Sequence, residues 1–417
     1  MKINELYKPL YTSGKRYFLI TGGRGSLKST STHDFITRLT YEKGHGVLFT
    51  RYTLTSAEKS IIPEFESTLD RLGCRDDFKT SGLTITNIKT GSFIMFSGIK
   101  TSSKDLTANL KSLANITTWV VDEGEDFKDE KIFDKIDDSI RTSTHQNRVI
   151  WIMNPTTKEH FIYSKFIKSS NQQVSIEGYN VTVSTHPEVE HIHTTYHIAE
   201  KLGYLSQSWL AKCYKYKLDA ENSTDKYKTH YYYNYIGGWL EKAEGIIFDY
   251  TEGEFDYTLP SIYSLDWGYY PDPMAISKVA VDTKQMKIYM KEIFCGTENN
   301  DVSEIFKQCN IQKHDLIICD TNEPRTRASL VNIGYNIQNA VKLEVVEDIR
   351  EIKQYQIIVS KDSPNIKAMF NNYIWNDKKA SIPGVEFKHF PDTLRYGFRR
   401  LTAKNVFMEM HAQKHLV

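Results

Sequence analysis

The run Gly22-Gly23-Arg24-Gly25-Ser26-Leu27-Lys28-Ser29-Thr30 has the residue types that cradle a triphosphate. Glycines let backbone N–H groups turn inward around an anion, and a helix opening behind them adds positive potential. In such a loop Lys28 reaches the β- and γ-phosphates and the Ser29 hydroxyl sits on Mg²⁺. Leu27 stands where a glycine is usual. The competing reading is a Gly/Ser turn that happens to precede a helix.

Two strand ends could complete that chemistry. Thr117-Thr118-Trp119-Val120-Val121 runs into Asp122 and Glu123. A strand so placed can carry Asp122 to a metal, directly or through water, and let Glu123 polarise an attacking water. Read alone, the same residues describe a buried strand that meets solvent at an acidic turn, since Glu125 and Asp126 follow. Arg148–Met153 ends in Asn154-Pro155, where an amide beside the phosphates could sense the γ-phosphate, or simply close an Asx turn.

The second half holds three aspartates in comparable places: Asp266 and Asp320 close apolar runs, and Asp392 opens a helical one. Two Mg²⁺ or Mn²⁺ ions can share such carboxylates, activate a water and stabilise a leaving 3′ oxygen. Unrelated acids would look the same. Asp272 and His389 are auxiliary candidates, with a turn and a surface or packed position as their plain readings.

The elements that must position these residues follow from periodicity. Tyr17–Ile20 reads as a buried strand and 31–41 as a helix. A strand over 46–51, a helix over 56–72, a hairpin over 83–97, a helix or loop over 104–113 and the strands ahead of Asp122 and Asn154 follow. Strands alternating with helices predict a parallel-rich α/β sheet with ligands at the carboxyl ends of its strands. Further on, 180–183 and 193–198 read as short strands, 205–218 as a helix, and Tyr214–Lys217 with 226–235 as a basic tyrosine belt. The belt is expected to pack its rings inward as an amphipathic lid rather than stack on nucleic acid. His186, His191, His193 and His197 match no familiar metal spacing and read as a solvated polar segment. The second half opens with a three-strand meander over 261–293, followed by helices at 302–311, 329–333, 346–354 and 366–375 and strands at 316–320 and 356–360.

Composition excludes little more. The chain has 417 residues, net charge +1 and five scattered cysteines, which read as reduced thiols of a cytosolic protein. No stretch is apolar enough to span a membrane, and the start is not a signal peptide. The small net charge advertises no global field for nucleic acid, although local basic patches remain open.

The glycine-rich loop, the apolar-Asp-Glu strand and the apolar-Asn-Pro strand, in that order, resemble the ATPase half of the large terminase subunits of tailed phages. The likeness is to the branch whose loop reads Gly-Gly-Arg-Gly-Ser-x-Lys-Ser. Asp266 with Gly268, Asp320 before Glu323-Pro324, and Asp392-x-Leu-Arg-Tyr resemble the RNase H-like nuclease half of the same family. The resemblance covers nearly the whole chain. It implies an ATPase domain over 1–185, a linker or lid subdomain over 186–250 and a nuclease domain over 251–417. It also implies ATP-driven translocation of double-stranded DNA, cutting of concatemeric genomes, and Arg24 as part of the hydrolysis machinery. Implied partners are the procapsid portal, a small terminase subunit and further copies in a ring. Implied location is the host cytoplasm, transiently on the procapsid. Lys111 and Arg141 are candidate trans-acting residues. A repair- or helicase-like ATPase–nuclease and a non-enzymatic portal-docking protein are the alternatives; no helicase motif follows the Asp-Glu strand, and Leu27 is the one feature favouring the latter.

Overall fold

The computed structural model describes residues 4–53, 61–100, 115–224, 226–243, 245–268, 272–297, 301–341, 344–375, 383–384 and 387–414. The expected element over 104–113, and Lys111 within it, lie outside these residues. The chain divides into two compact units, Met1–Leu240 and Glu241–Val417.

The first unit is built on strands β1 (Tyr17–Gly22), β2 (Gly46–Thr53), β3 (Phe78–Ser81), β4 (Thr84–Asn87), β5 (Phe93–Lys100), β6 (Ile116–Val121) and β7 (Arg148–Met153). A two-stranded ribbon, β8 (Asn171–Ile176) and β9 (Tyr179–Ser184), precedes the edge strand β10 (Val189–Thr194). The sheet order is β10-β1-β7-β6-β2-β5-β4-β3, parallel from β10 through β5, with an antiparallel meander at the far edge. The central strands read as unbroken apolar runs because both faces are covered. Phe18 and Ile20 pack on one core with Phe35, Ile36 and Phe65, and Leu19 packs on the other with Trp119, Phe133 and Trp151. Burying each such side chain contributes roughly 1.5–3 kcal/mol.

Helix α1 (Lys28–Leu39) follows the glycine loop, and α2 (Ile62–Leu72) packs beside it. Helices α3 (Gln207–Asn222) and α4 (Lys226–Tyr235) pack on a shared, largely aromatic cluster in the same unit. Of the tyrosine belt, Tyr232 is buried against Tyr196, and Tyr216, Tyr231, Tyr233 and Tyr235 are partly buried, in keeping with the expected inward packing, while Tyr214 stays exposed.

Three expectations change. The strand expected over 193–198 is β10, four residues earlier, and a helix begins at Tyr196. Because β10 pairs with β1 and α3 and α4 belong to the same unit, most of the expected 186–250 linker lies in the first unit and only 241–250 in the second. Nor are His191 and His193 a solvated segment. Backbone N–H of Ser184 donates to His191 Nδ1 at 2.6 Å. His191 Nε2 therefore donates to Thr21 Oγ1 (2.7 Å), which leaves the Thr21 hydroxyl to donate to His193 Nδ1 (2.8 Å). His193 Nε2 in turn donates to the carbonyl of Ile236 at 3.1 Å. This chain ties β1, β10 and the end of α4 together, and it requires both rings to be neutral.

The second unit carries β11 (Thr251–Gly253), β12 (Ser261–Asp266), β13 (Met274–Asp282), β14 (Lys287–Gly296), β15 (Ile317–Cys319), β16 (Ile337–Asn339) and β17 (Gln356–Ser360) in the order β11-β17-β14-β13-β12-β15-β16. The antiparallel meander β12-β13-β14 is as expected, with parallel neighbours on either side. Helix α5 (His389–Lys414) packs against β12 and β13. Among the described residues, no helix is long and apolar enough to cross a membrane.

Burial holds His191 down at about 3 and His193 at about 4, whereas an unfolded histidine takes up its proton near pH 6.5. Between those limits the unfolded state binds more protons, so stability is full above pH ~6.5 and falls as the pH drops below it. Thermal unfolding followed at pH 7.5 and 5.5 is expected to show a lower midpoint at 5.5. The drop should be smaller in the double variant His191→Gln, His193→Gln; an equal drop would show that these rings do not carry the effect.

Candidate functional site

In the first unit, adjacency in the sheet builds the site. Strands β1, β7, β6 and β2 are consecutive neighbours, with Thr21 opposite Met153 and Thr50 opposite Val121. Their carboxyl ends therefore deliver the glycine loop, Asn154, Asp122 and Arg51 side by side, about 5 Å per strand. Together with Gly23–Thr30, Glu123, Glu125, Tyr204 and Leu205, these residues line an open cleft of about 740 Å³. Gly22 lies just behind it, its carbonyl accepting from Lys28. Arg24 and Gly25 are exposed at the tip of the loop.

The loop is braced from outside. A Cβ on Gly23 would sit 1.6 Å from the carbonyl oxygen of Tyr235, so only glycine lets α4 end against the loop. Leu27 accounts for its own departure from the usual pattern. It adopts φ 62°, ψ 19°, the left-handed conformation that glycine enters freely and other residues enter at a cost of about 1–2 kcal/mol. The usual glycine is thus a backbone requirement, and here a leucine meets it under strain.

Lys28 Nζ donates to the carbonyls of Gly22 (2.8 Å) and Gly23 (2.7 Å) and to Asn154 Oδ1 (2.9 Å), with Ser26 Oγ at 3.2 Å. Burial pushes its ammonium down to about 8, against the pull of Glu125 and Asp122. Ser29 Oγ donates to Asp122 Oδ1 at 3.3 Å, so the hydroxyl and the carboxylate face one point. The other oxygen of buried Asp122 accepts from Arg51 Nε (2.9 Å) and Nη2 (2.7 Å). Arg51 also reaches Glu123 Oε1 at 3.5 Å, and although its burial works against charge, Asp122 outweighs it and holds the guanidinium charged. Glu123 is half exposed at φ 53°, and burial raises its carboxyl. Thr30 lines the cleft on the first turn of α1. The donors fit a magnesium-bound polyphosphate: backbone N–H groups at a helix start, a buried ammonium, and a hydroxyl beside a carboxylate.

Sequence reasoning missed Arg51 and Glu125. Arg51 had a signal, a basic residue near the carboxyl end of a strand of the same parallel sheet. Glu125 read as part of an acidic turn, yet its carboxylate is among the most enclosed in the cleft. Arg141 is exposed and is not among the residues that line the cleft.

In the second unit Leu265 and Cys319 are register partners on neighbouring parallel strands, so Asp266 and Asp320 leave the sheet together. Ser264 and Asp266 share a face of β12. On that face Ser264 Oγ donates to the carbonyl of Thr393 (2.6 Å) and Ser277 Oγ to Thr393 Oγ1 (2.8 Å), which pins the start of α5 and Asp392 beside them. Burial first, and then the charge of Asp266, push the Asp392 carboxyl up to about 6. Tyr396 OH donates to Asp320 Oδ2 at 3.4 Å. His389, whose plain reading was a surface or packed residue, is buried with Nδ1 2.7 Å from Asp266 Oδ2. Asp272 is exposed ahead of β13.

The three acids thus converge, and oxygen donors are what Mg²⁺ and Mn²⁺ take. Each is turned onto a protein partner: Asp266 onto His389, Asp320 onto Asn322 (N at 2.6 Å, Nδ2 at 2.8 Å) and Asp392 onto Arg395 Nη1 (2.6 Å). Among the described residues no three such groups stand as a ready-made ion cage. The set fits a divalent ion by chemistry, once these side chains rotate from their partners.

Comparison with known proteins gives a family match. The family described as phage terminase large subunit covers residues 14–234. The terminase large subunit of Bacillus phage SPP1 is 25% identical over 95% of this chain and 94% of its own. Among solved structures, the HK97 bacteriophage large terminase aligns with 89% of this chain and 88% of its own at 9% identity and TM-score 0.48. The large terminase nuclease domain of bacteriophage SPP1, with bound Mn, aligns with 36% of this chain and 95% of its own at 22% identity and TM-score 0.33.

The strain at Leu27 can be measured. Leu27→Ile places a β-branched side chain in the left-handed region and is expected to lower the stability of the first unit by about 1–2 kcal/mol. Leu27→Gly should be neutral or stabilising. Urea unfolding of the three proteins checks this; a destabilised glycine variant would show that no strain resides there.

Proposed function

The chain belongs to the phage terminase large subunit family, and from that premise we propose that it is the ATP-driven motor and nuclease that packages and cuts viral DNA. The observation that carries the reading is the adjacency of Lys28, at the start of the helix that follows β1, with Asn154 and Asp122, just past the carboxyl ends of the neighbouring parallel strands β7 and β6. The first unit binds and hydrolyses ATP, and the second cuts DNA with divalent metal. Neither a repair helicase nor a non-enzymatic docking protein accounts for both sites in one chain of this family.

In the first unit Lys28 and Arg24 neutralise phosphate charge, with the N–H groups of Gly23–Thr30 around it. Ser29 and Asp122 hold Mg²⁺, and Arg51 keeps Asp122 aimed. Glu123 orients and deprotonates the attacking water. Asn154, bonded to Lys28, couples nucleotide state to movement of the chain. In the second unit Asp266, Asp320 and Asp392 hold two Mg²⁺ or Mn²⁺ ions. When bound, such ions lower the pKa of a water and stabilise the leaving oxygen of a phosphodiester. His389 positions Asp266, and the Ser264–Thr393–Ser277 bonds fix the third acid relative to the first.

The substrate is concatemeric double-stranded DNA. The net charge of +1 fits a chain that leaves sequence recognition to a small terminase subunit. The motor acts in the host cytoplasm as a ring of copies docked on the portal of the procapsid.

Glu123→Ala is expected to retain ATPγS binding within about threefold and to lose about 10²-fold or more in kcat; ordinary turnover would remove Glu123 as the base. In a Mn²⁺-dependent plasmid-cleavage assay, Asp266→Ala and Asp320→Ala should each abolish cutting while ATPase activity persists. Cutting by both variants would refute the metal assignment.

A further inference from the structure

Glu125 is unassigned by the reading above, yet its surroundings give it work. It lies on the short turn Gly124–Asp126 that follows Glu123. Its Oε1 accepts from Asn154 Nδ2 at 2.5 Å and its Oε2 from the Asn154 backbone N–H at 3.1 Å. Both oxygens are thereby committed to one residue. The amide oxygen of Asn154 faces the other way and accepts from Lys28 Nζ at 2.9 Å. The carboxamide thus bridges a cation and an anion, carbonyl toward the ammonium and N–H₂ toward the carboxylate. The reversed orientation would set two donors against Lys28 and an acceptor against Glu125.

The turn itself is held from below. A Cβ on Gly124 would lie 2.1 Å from Trp151 Nε1, so the backbone rests on the indole of β7. With Gly124 seated on Trp151 and Glu125 clasped by Asn154, Glu123 is held between them and Asp122 in its left-handed conformation.

We propose that Glu125 is a positioning residue of the ATP site: it fixes the Asn154 amide so that Asn154 restrains Lys28 until a γ-phosphate draws the ammonium away, and it anchors the turn that presents Glu123. This rests on the ATPase reading and adds to it the group that sets its resting state. Lys28 is then shared between the loop carbonyls and Asn154 in the resting site, and its transfer to phosphate releases one end of the amide bridge. Two consequences follow. The Glu125 charge and the amide it orients both compete with the triphosphate for Lys28, so removing them strengthens binding. The same removal loosens Glu123, so turnover falls.

The test pairs calorimetric binding of ATPγS to the purified full chain with steady-state ATPase rates. Glu125→Gln is expected to bind ATPγS at least threefold tighter than wild type while kcat falls at least tenfold. A residue that merely supports the fold would weaken binding and turnover together, and that result, or values unchanged in both, overturns the proposal. Glu125→Asp keeps the charge but withdraws the carboxylate by one methylene; it should lower kcat at least tenfold with ATPγS affinity within twofold, and wild-type turnover here also overturns it. The double variant Glu125→Gln, Asn154→Ala should be no slower than Asn154→Ala alone by more than twofold, because the two act as one unit; additive losses speak against the bridge. A wild-type chain that binds no ATPγS would sink the ATPase reading itself. A wild-type chain that binds and hydrolyses ATP while the variants match it would sink only the role of Glu125.

Discussion

The parallel pairing of β1, β7, β6 and β2 is the constraint on which the nucleotide site depends. Parallel strands point the same way, so every strand end on one edge of the sheet opens onto the same space. A one-residue slip in any of these registers would turn Asp122 or Asn154 to the opposite face. The apolar residues that alternate between two cores, Phe18 and Ile20 against Leu19, are what forbid that slip. Packing far from the cleft thereby sets the distances between the side chains that line it. The second unit repeats the device with fewer strands: the β12–β15 register brings Asp266 and Asp320 out together, and a helix pinned by hydroxyls supplies the third acid.

Charge is the second constraint. An ion pair out of water is worth little unless its geometry is good, and breaking one strands a buried charge at a cost of about 3–5 kcal/mol. Both units answer with closed networks. Asp122 is clasped by Arg51, Lys28 by loop carbonyls and Asn154, and Asn154 by Glu125. Behind the acids of the second unit, buried Asp348 accepts from Arg395 and Arg399, and Arg395 reaches Asp392. These bonds hold the sites in an organised resting state whose side chains are already paired.

Legibility followed signal strength. Long apolar runs with a chemical residue at their end, β1, β6, β7 and β12, were readable because burial on both faces leaves no other pattern. The edge strand β10 was not, because Val-Glu-His-Ile-His-Thr carries only two aliphatic residues. Its histidines look solvated until Thr21 and Ile236 are seen to satisfy them. The boundary expected at 185/186 was displaced by the same strand. Glu125 was hidden among the acids of a turn, since nothing local distinguishes a carboxylate clasped by Asn154 from one facing water.

By itself the amino-acid sequence determined which residues could do chemistry and in which order they lie: the glycine loop with Lys28 and Ser29, Asp122 and Glu123, Asn154, and then Asp266, Asp320 and Asp392. It determined this because each borders a strongly patterned element, at its end or its start, and pattern is a local property. The tertiary structure alone decided which of them meet, that Leu27 occupies a left-handed position, that Arg51 and Glu125 join the site and that His389 lies on Asp266. Those contacts join residues from 29 to 123 positions apart along the chain, counting Asn154 with Glu125 at 29, Arg51 with Asp122 at 71 and His389 with Asp266 at 123. They exist only because the sheets fix where each strand ends, and no local pattern encodes that.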